Sequence, residues 1–255
     1  MSSKDYNAPL WDTAEELNRN DCFNDLAYRN MTFDRDDRPE HILSKAARAY
    51  AENFQPALEQ HGIMFTGNVG TGKTFYACCI ANAVIDRGCT AWVTTLQPLV
   101  RALCSYEAAE KILAKIRKVD LLVLDEATSG LDPAARSEIL DILLDFIQDE
   151  RHSVLLSSHI TTDLEQIADT IAYLHHGQLL FAKNKDDLME EYGILRCSQQ
   201  DLDRLPPEWI AATCRTAAGC ESLVHPRVSV LRALPGVVCD AASIDDIMRL
   251  TSKEG

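Results

Sequence analysis

Apolar positions along this chain keep two alternating rhythms. From His41 the stretch ILSKAARAYAENF places Leu43, Ala47, Tyr50 and Phe54 at helical spacing, on one face that stops before Pro56. The run GIMFTG (Gly62 to Gly67) then has the length of a buried strand, and it feeds a glycine-rich loop and a helix through about Asp86 with Ala77, Ile80, Ala81 and Val84 among its apolar residues. CTAWVTT (Cys89 to Thr95) reads as a second strand, residues 97–118 as mainly helical, and DLLVLDE (Asp120 to Glu126) as the continuously apolar kind of strand that lies inside parallel sheets. A helix over 133–150 begins at Pro133, and SVLLSSH (Ser153 to His159) is another buried strand. After a helix near 161–168, TIAYLHHGQLLFAK predicts a hairpin turning at Gly177 and Gln178. Strand and helix alternate, which predicts an α/β fold with a mainly parallel, doubly wound sheet flanked by helices. The expected organisation is a polar arm over 1–40, a core over 41–192 and a small α/β appendage over 193–255.

Length and composition narrow this picture. With 255 residues, 46% of them apolar, the chain can bury a full core. No run approaches the ~18 apolar residues of a membrane span, and the start MSSKDYNAPLWD lacks the basic-then-apolar order of a secretory signal, so a cytoplasmic location is expected. Nine cysteines are scattered without any CxxC pair, which favours reduced, buried thiols over a metal site. Charge is uneven: residues 1–118 carry 14 basic and 15 acidic side chains, residues 119–255 carry 11 and 24. An acidic second half repels phosphate backbones, so any contact with nucleic acid falls to the first half.

The chemistry concentrates in GNVGTGKT, which fits G-x-x-x-x-G-K-[ST] in full between a predicted strand and a predicted helix. Gly67, Asn68, Val69, Gly70, Thr71, Gly72, Lys73 and Thr74 form a candidate cradle for ATP. Its glycines let successive backbone N–H groups point at phosphate oxygens, and the helix N-terminus adds positive potential. Lys73 is expected to reach the β- and γ-phosphates, and the Thr74 hydroxyl to serve Mg²⁺, which prefers oxygen ligands. At the end of the apolar strand, Asp125 is the second candidate metal holder. Glu126 is the candidate that orients or deprotonates the attacking water, and His159, ending the next strand, is a candidate contact for the γ-phosphate or that water.

These motifs carry two resemblances. Residues 20–124, through DCFNDLAYRNMTF, FTGNVGTGKTFYACCIANAVIDRG and VDLLVLDE, resemble a DnaC/IstB-type helicase loader. That likeness implies an AAA+ ATPase partnering a replicative helicase and single-stranded DNA. From LLVLDEATSGLDP through LLSSHITTDLEQIADTIAYLHHGQLLF to ASIDDIM, residues 121–255 resemble the C-terminal half of an ABC-transporter ATP-binding subunit. This second likeness implies that Asp125 and Glu126 form the Walker B pair, that Ser129 to Asp132 form a D-loop crossing a homodimer interface, and that His159 is the switch histidine. It also implies a membrane permease partner, and with it a peripheral place at the inner membrane. Neither pattern is complete. Only 51 residues separate Lys73 from Asp125, with no LSGGQ-like signature among them, and no residue matches an AAA+ arginine finger. The chain reads as a chimera of a P-loop NTPase joined at the shared Walker B phrase.

Lesser features fit packing roles. Cys78 and Cys79 follow the loop on a helix with no basic partner apparent. Tyr50 lies on an apolar stripe, where core packing competes with stacking on adenine, and Gln97 reads as a helix-start residue rather than a permease-coupling glutamine. His175 and His176 are expected to be exposed at the hairpin, and Asp186 to Glu191 to be a solvated helix face. The functional expectation is an ATP-binding P-loop ATPase with an ABC-like catalytic half and no transport signature. The alternatives are a DnaC-like accessory ATPase of DNA replication and a non-functional chimera.

Overall fold

The protein is described by a computed structural model over residues 21–56, 63–68, 70–103, 105–125, 133–158, 167–175, 178–216 and 219–251. Its central sheet has the order β2-β3-β4-β1-β5-β6, built from β1 (Ile63–Gly67), β2 (Ala91–Thr95), β3 (Leu121–Asp125), β4 (Ser153–Ser158), β5 (Thr170–His175) and β6 (Gln178–Asn184). The first five strands run parallel, and β6 pairs antiparallel with β5. The expected parallel, helix-flanked sheet is therefore present. Because β4 lies between β1 and β3, the loop after β1 and the acid ending β3 stand one strand apart at the same sheet edge, where parallel sheets bind ligands.

Both sheet faces are covered, and this is why the strands read as unbroken apolar runs. On one face Phe65, Val93, Leu121, Val123, Leu155 and Leu174 pack with α1 (Ile42–Asn53) and α2 (Lys73–Asp86). On the other, Met64, Leu122, Leu124 and Leu156 meet α3 (Leu96–Leu103), α4 (Tyr106–Ile116) and α5 (Pro133–Ile147). The helix expected over 97–118 is two helices, broken at Ser105, whose backbone is extended (φ −140°, ψ 124°). Gln97 is exposed in the first turn of α3.

Beyond β6 come α6 (Lys185–Glu191), β7 (Gly193–Cys197), the short α7 (Gln199–Leu202), β8 (Ile210–Thr216), β9 (Gly219–Val224), α8 (Arg227–Ala233), β10 (Val238–Ala241) and α9 (Ile244–Thr251). Its four strands form an antiparallel sheet in the order β10-β7-β9-β8. This unit has a small core of its own, including Leu195, Val224 and Val230, yet Ile194, Leu223, Ile247 and Leu250 join the core under the central sheet. Thr66 Oγ1 of the P-loop strand donates to Met248 Sδ of α9 at 3.3 Å. The C-terminal unit thus packs against one face of the central sheet, beside the helices that also cover it.

Residues 21–40, expected as a polar arm, run along the sheet edge. Cys22 and Phe23 are buried, Phe23 forms a parallel bridge with Val93, and Val93 N donates to Cys22 O at 2.7 Å. The hairpin differs in detail from the expected one: Gln178 already belongs to β6, paired with His175, while His176 and Gly177 lie outside the described residues. His175 is half-buried rather than exposed, tilted 6.1 Å from the Tyr173 ring. The acidic helix α6 exposes Asp186 and Asp187 but buries Leu188 and pairs Glu191 with Lys183 and His225. The helix expected near 161–168 falls mostly outside the described residues. Among the described residues no helix is long and apolar enough to cross a membrane.

Tyr50 belongs to the packing between α1 and the sheet. Its ring meets Phe54 edge-on at 6.0 Å, and with Leu43, Phe65 and Ile80 it lines a cavity of about 70 Å³. Its hydroxyl is buried with no hydrogen-bond partner among the described residues, and burial raises its pKa. A buried hydroxyl left unpaired costs about 1–3 kcal/mol. Tyr50→Phe should therefore stabilise the protein by about 1 kcal/mol, raising the unfolding midpoint in a thermal melt by about 2–4 °C. A lowered midpoint would show that the hydroxyl has a partner.

Candidate ATP site

The cradle starts at a glycine that no other residue can replace. Gly67 ends β1 at φ +142°, opposite Leu174 of β5, and a Cβ built there would lie 1.9 Å from the Leu174 carbonyl oxygen. The close approach and the dihedral both exclude a side chain. Gly72, at φ +95°, is the N-cap from which α2 departs, so the loop turns directly into a helix N-terminus. Between them Thr71 Oγ1 donates to the Asn68 carbonyl at 2.9 Å. Val69 lies outside the described residues.

Lys73 is buried, with 4% exposure. Its ammonium donates to the carbonyls of Gly67 and Asn68, each at 2.9 Å. The loop thus holds the charge that a triphosphate would attract, and holds it through ordinary hydrogen bonds that a stronger anionic acceptor can replace.

Thr74 and Asp125, the two candidate metal holders, lie together. Thr74 Oγ1 donates to Asp125 Oδ1 at 2.8 Å, across the gap between α2 and β3, and Asp125 is buried with 3% exposure. A hydroxyl beside a carboxylate is an all-oxygen donor set, and it fits Mg²⁺. The other carboxylate oxygen, Oδ2, accepts from Tyr28 Oη at 3.1 Å. Burial raises the Tyr28 pKa, and the Asp125 charge and this hydrogen bond raise it further, so the phenol remains a donor. Ser157, next to last in β4 and in register with Phe65, buries a hydroxyl with no partner among the described residues. Glu126, the Ser129 to Asp132 stretch and His159 lie outside the described residues; the strands that precede Glu126 and His159, β3 and β4, end side by side.

Two contributors escaped the sequence reading. Tyr28 sits in a polar stretch with no periodicity, and its role depends on a partner 97 positions away. Asn82, buried on α2, donates through its amide to the carbonyls of Tyr28 (3.1 Å), Met31 (3.0 Å) and Cys78 (3.0 Å), and so ties the N-terminal segment to the P-loop helix. A buried asparagine amid FYACCIANAV was the available signal. Cys78 and Cys79 are packing thiols: burial pushes both pKa values up, that of Cys79 to about 12, which leaves little nucleophilic thiolate at neutral pH.

The profile of the family described as IstB-like ATP binding protein matches residues 13–170. The chain belongs to that family. This IstB-like protein is also similar over a short stretch to ABC-transporter subunits. It is 37% identical over 75 residues to the bacitracin transport ATP-binding protein BcrA of Enterococcus faecalis, covering 29% of this chain and 24% of that protein. It is 35% identical over 74 residues to the lantibiotic transport ATP-binding protein SrtF of Streptococcus pyogenes, covering 29% and 32%. The chain thus spans less than a third of the length of these curated relatives. Among solved structures, the DnaC helicase loader superposes with a TM-score of 0.49 at 18% identity, over 59% of this chain and 99% of that one. The chain is thus a member of the IstB-like ATP-binding family that carries an additional ABC-like stretch.

Proposed function

We propose that this IstB-like protein binds ATP with Mg²⁺ and hydrolyses it slowly, as a nucleotide-controlled accessory ATPase. The carrying observation is the 2.8 Å bond from Thr74 to Asp125, because it brings the hydroxyl that follows the loop lysine against the carboxylate that ends β3, the strand shared with the ABC-like segment. In this reading residues 41–192 are the ATPase core, 1–40 the arm and 193–255 the appendage. The backbone N–H groups of Gly67 to Thr74 receive the phosphates, and Lys73 turns from its two loop carbonyls to the β- and γ-phosphates. Thr74 and Asp125 hold the metal ion. Bound Mg²⁺ supplies neutralisation of charge on the phosphate oxygens during transfer. Glu126 orients the attacking water and takes its proton, and His159 contacts the γ-phosphate or that water.

In this reading the partners are those of a helicase loader, a replicative helicase and single-stranded DNA in the cytoplasm, as the resemblance of residues 20–124 to a DnaC/IstB-type loader implies. A permease partner has less support, since no signature lies between Lys73 and Asp125. A homodimer through Ser129 to Asp132 completes the reading. The test is steady-state ATP turnover with parallel binding. Glu126→Gln should retain ATP affinity within about threefold and lose turnover by about 100-fold or more. Stimulation of wild-type turnover by single-stranded DNA at low salt favours the loader partner. Equal rates in wild type and variant would assign the activity to a contaminant.

A further inference from the structure

The N-terminal segment that reaches the ATP site is anchored on both sides of Tyr28. On one side Asn24 Nδ2 donates to Thr94 Oγ1 at 2.5 Å and Trp92 Nε1 donates to Asn24 Oδ1 at 3.1 Å, so the segment is held to β2, the strand paired with β3. On the other, the Asn82 amide holds the carbonyls of Tyr28 and Met31 to α2, the helix that begins at Lys73. Tyr28 Oη is thereby carried to Asp125 Oδ2. Among the described residues the carboxylate has one donor on each oxygen, Thr74 on Oδ1 and Tyr28 on Oδ2. A carboxylate offers about four lone-pair sites, so each oxygen keeps capacity for one more donor. Two fixed donors from two different elements define the plane of the carboxylate, which a single donor leaves free to turn.

We infer that Tyr28 is a positioning residue for Asp125, setting the carboxylate orientation on which magnesium-dependent nucleotide binding rests. The inference depends on the reading that Thr74 and Asp125 hold Mg²⁺. It makes the N-terminal segment part of the ATP site, so that whatever moves this segment changes metal affinity. A gate would behave oppositely, since a hydroxyl that blocks the ion must leave before the ion binds.

Calorimetric titration of ATP into the full chain, with Mg²⁺ and with EDTA, separates these roles. Tyr28→Phe keeps the ring and removes the donor. Its ATP affinity should fall about five- to tenfold in Mg²⁺, the upper part of the range for the net worth of an ordinary hydrogen bond, and stay within about twofold of wild type in EDTA. An unchanged or tighter magnesium complex overturns the proposal, as does an equal loss in both conditions, which marks a merely structural prop. If Tyr28→Phe does not fold, replacement of Tyr28 by 4-fluorophenylalanine fills the hydroxyl's space without donating and should give the same magnesium-selective loss. Asp125→Asn is the separate control: if wild type and Asp125→Asn show the same magnesium dependence, the metal reading itself fails, whatever Tyr28 does.

Discussion

Lys73→Ala should lower ATP affinity by about 10- to 150-fold, the range for losing hydrogen bonds to charged phosphate worth about 1.5–3 kcal/mol. The lysine is already under the loop, bonded to the Gly67 and Asn68 carbonyls, so binding exchanges two neutral acceptors for anionic ones and needs no long search by a flexible side chain. Protection from unfolding gives a second measure. ATP at about 100 times its Kd stabilises the wild type by about 2.7 kcal/mol, and a hundredfold weaker variant at the same concentration by only about 0.4 kcal/mol. A thermal melt with and without ATP reads this difference directly. Equal ATP protection of wild type and Lys73→Ala would place the nucleotide elsewhere on the molecule.

Gly67→Ala should be the most damaging glycine-to-alanine change among the described residues. The new Cβ would fall 1.9 Å from Leu174 O and 2.9 Å from Leu174 C, both backbone atoms of a central strand that cannot swing aside as a side chain can. Overpacking of about 1–3 kcal/mol and a strained positive φ of about 1–3 kcal/mol add to an expected loss of about 2–6 kcal/mol. For a domain whose whole stability is about 5–15 kcal/mol, this is severe. Urea unfolding should show a lower midpoint together with lost ATP affinity, because relief of the clash must part β1 from β5 or move the cradle. Full stability with intact ATP affinity would contradict the close approach of Gly67 to β5.

The two substitutions fail for different reasons, and the contrast bears on how the site is built. Lys73 acts through charge delivered to a ligand, whereas Gly67 acts through the absence of atoms where two strands meet. The first role is written in a local motif. The second was suggested by the motif, but its physical cause, the Leu174 carbonyl, lies more than 100 residues away.

What the amino-acid sequence determined by itself follows from local periodicity and local chemistry. A short unbroken apolar run such as LLVL, bounded by polar residues and too short for a helix, reads as a strand covered on both faces, and the glycines of GNVGTGKT permit a backbone barred to other residues. Those features, with an acid at the end of the LLVL strand, were enough for the α/β class and for naming Thr74 and Asp125 as candidate metal holders. Tertiary structure alone decided which strand lies beside which, because β4 separates β1 from β3 although it follows both in the chain. It alone carried Tyr28 from a polar, aperiodic segment to Asp125, and seated α9 of the C-terminal unit against Thr66 of the P-loop strand. Such contacts join residues far apart in sequence, and their strength comes from burial and hydrogen bonding after the chain has closed, so no local pattern records them.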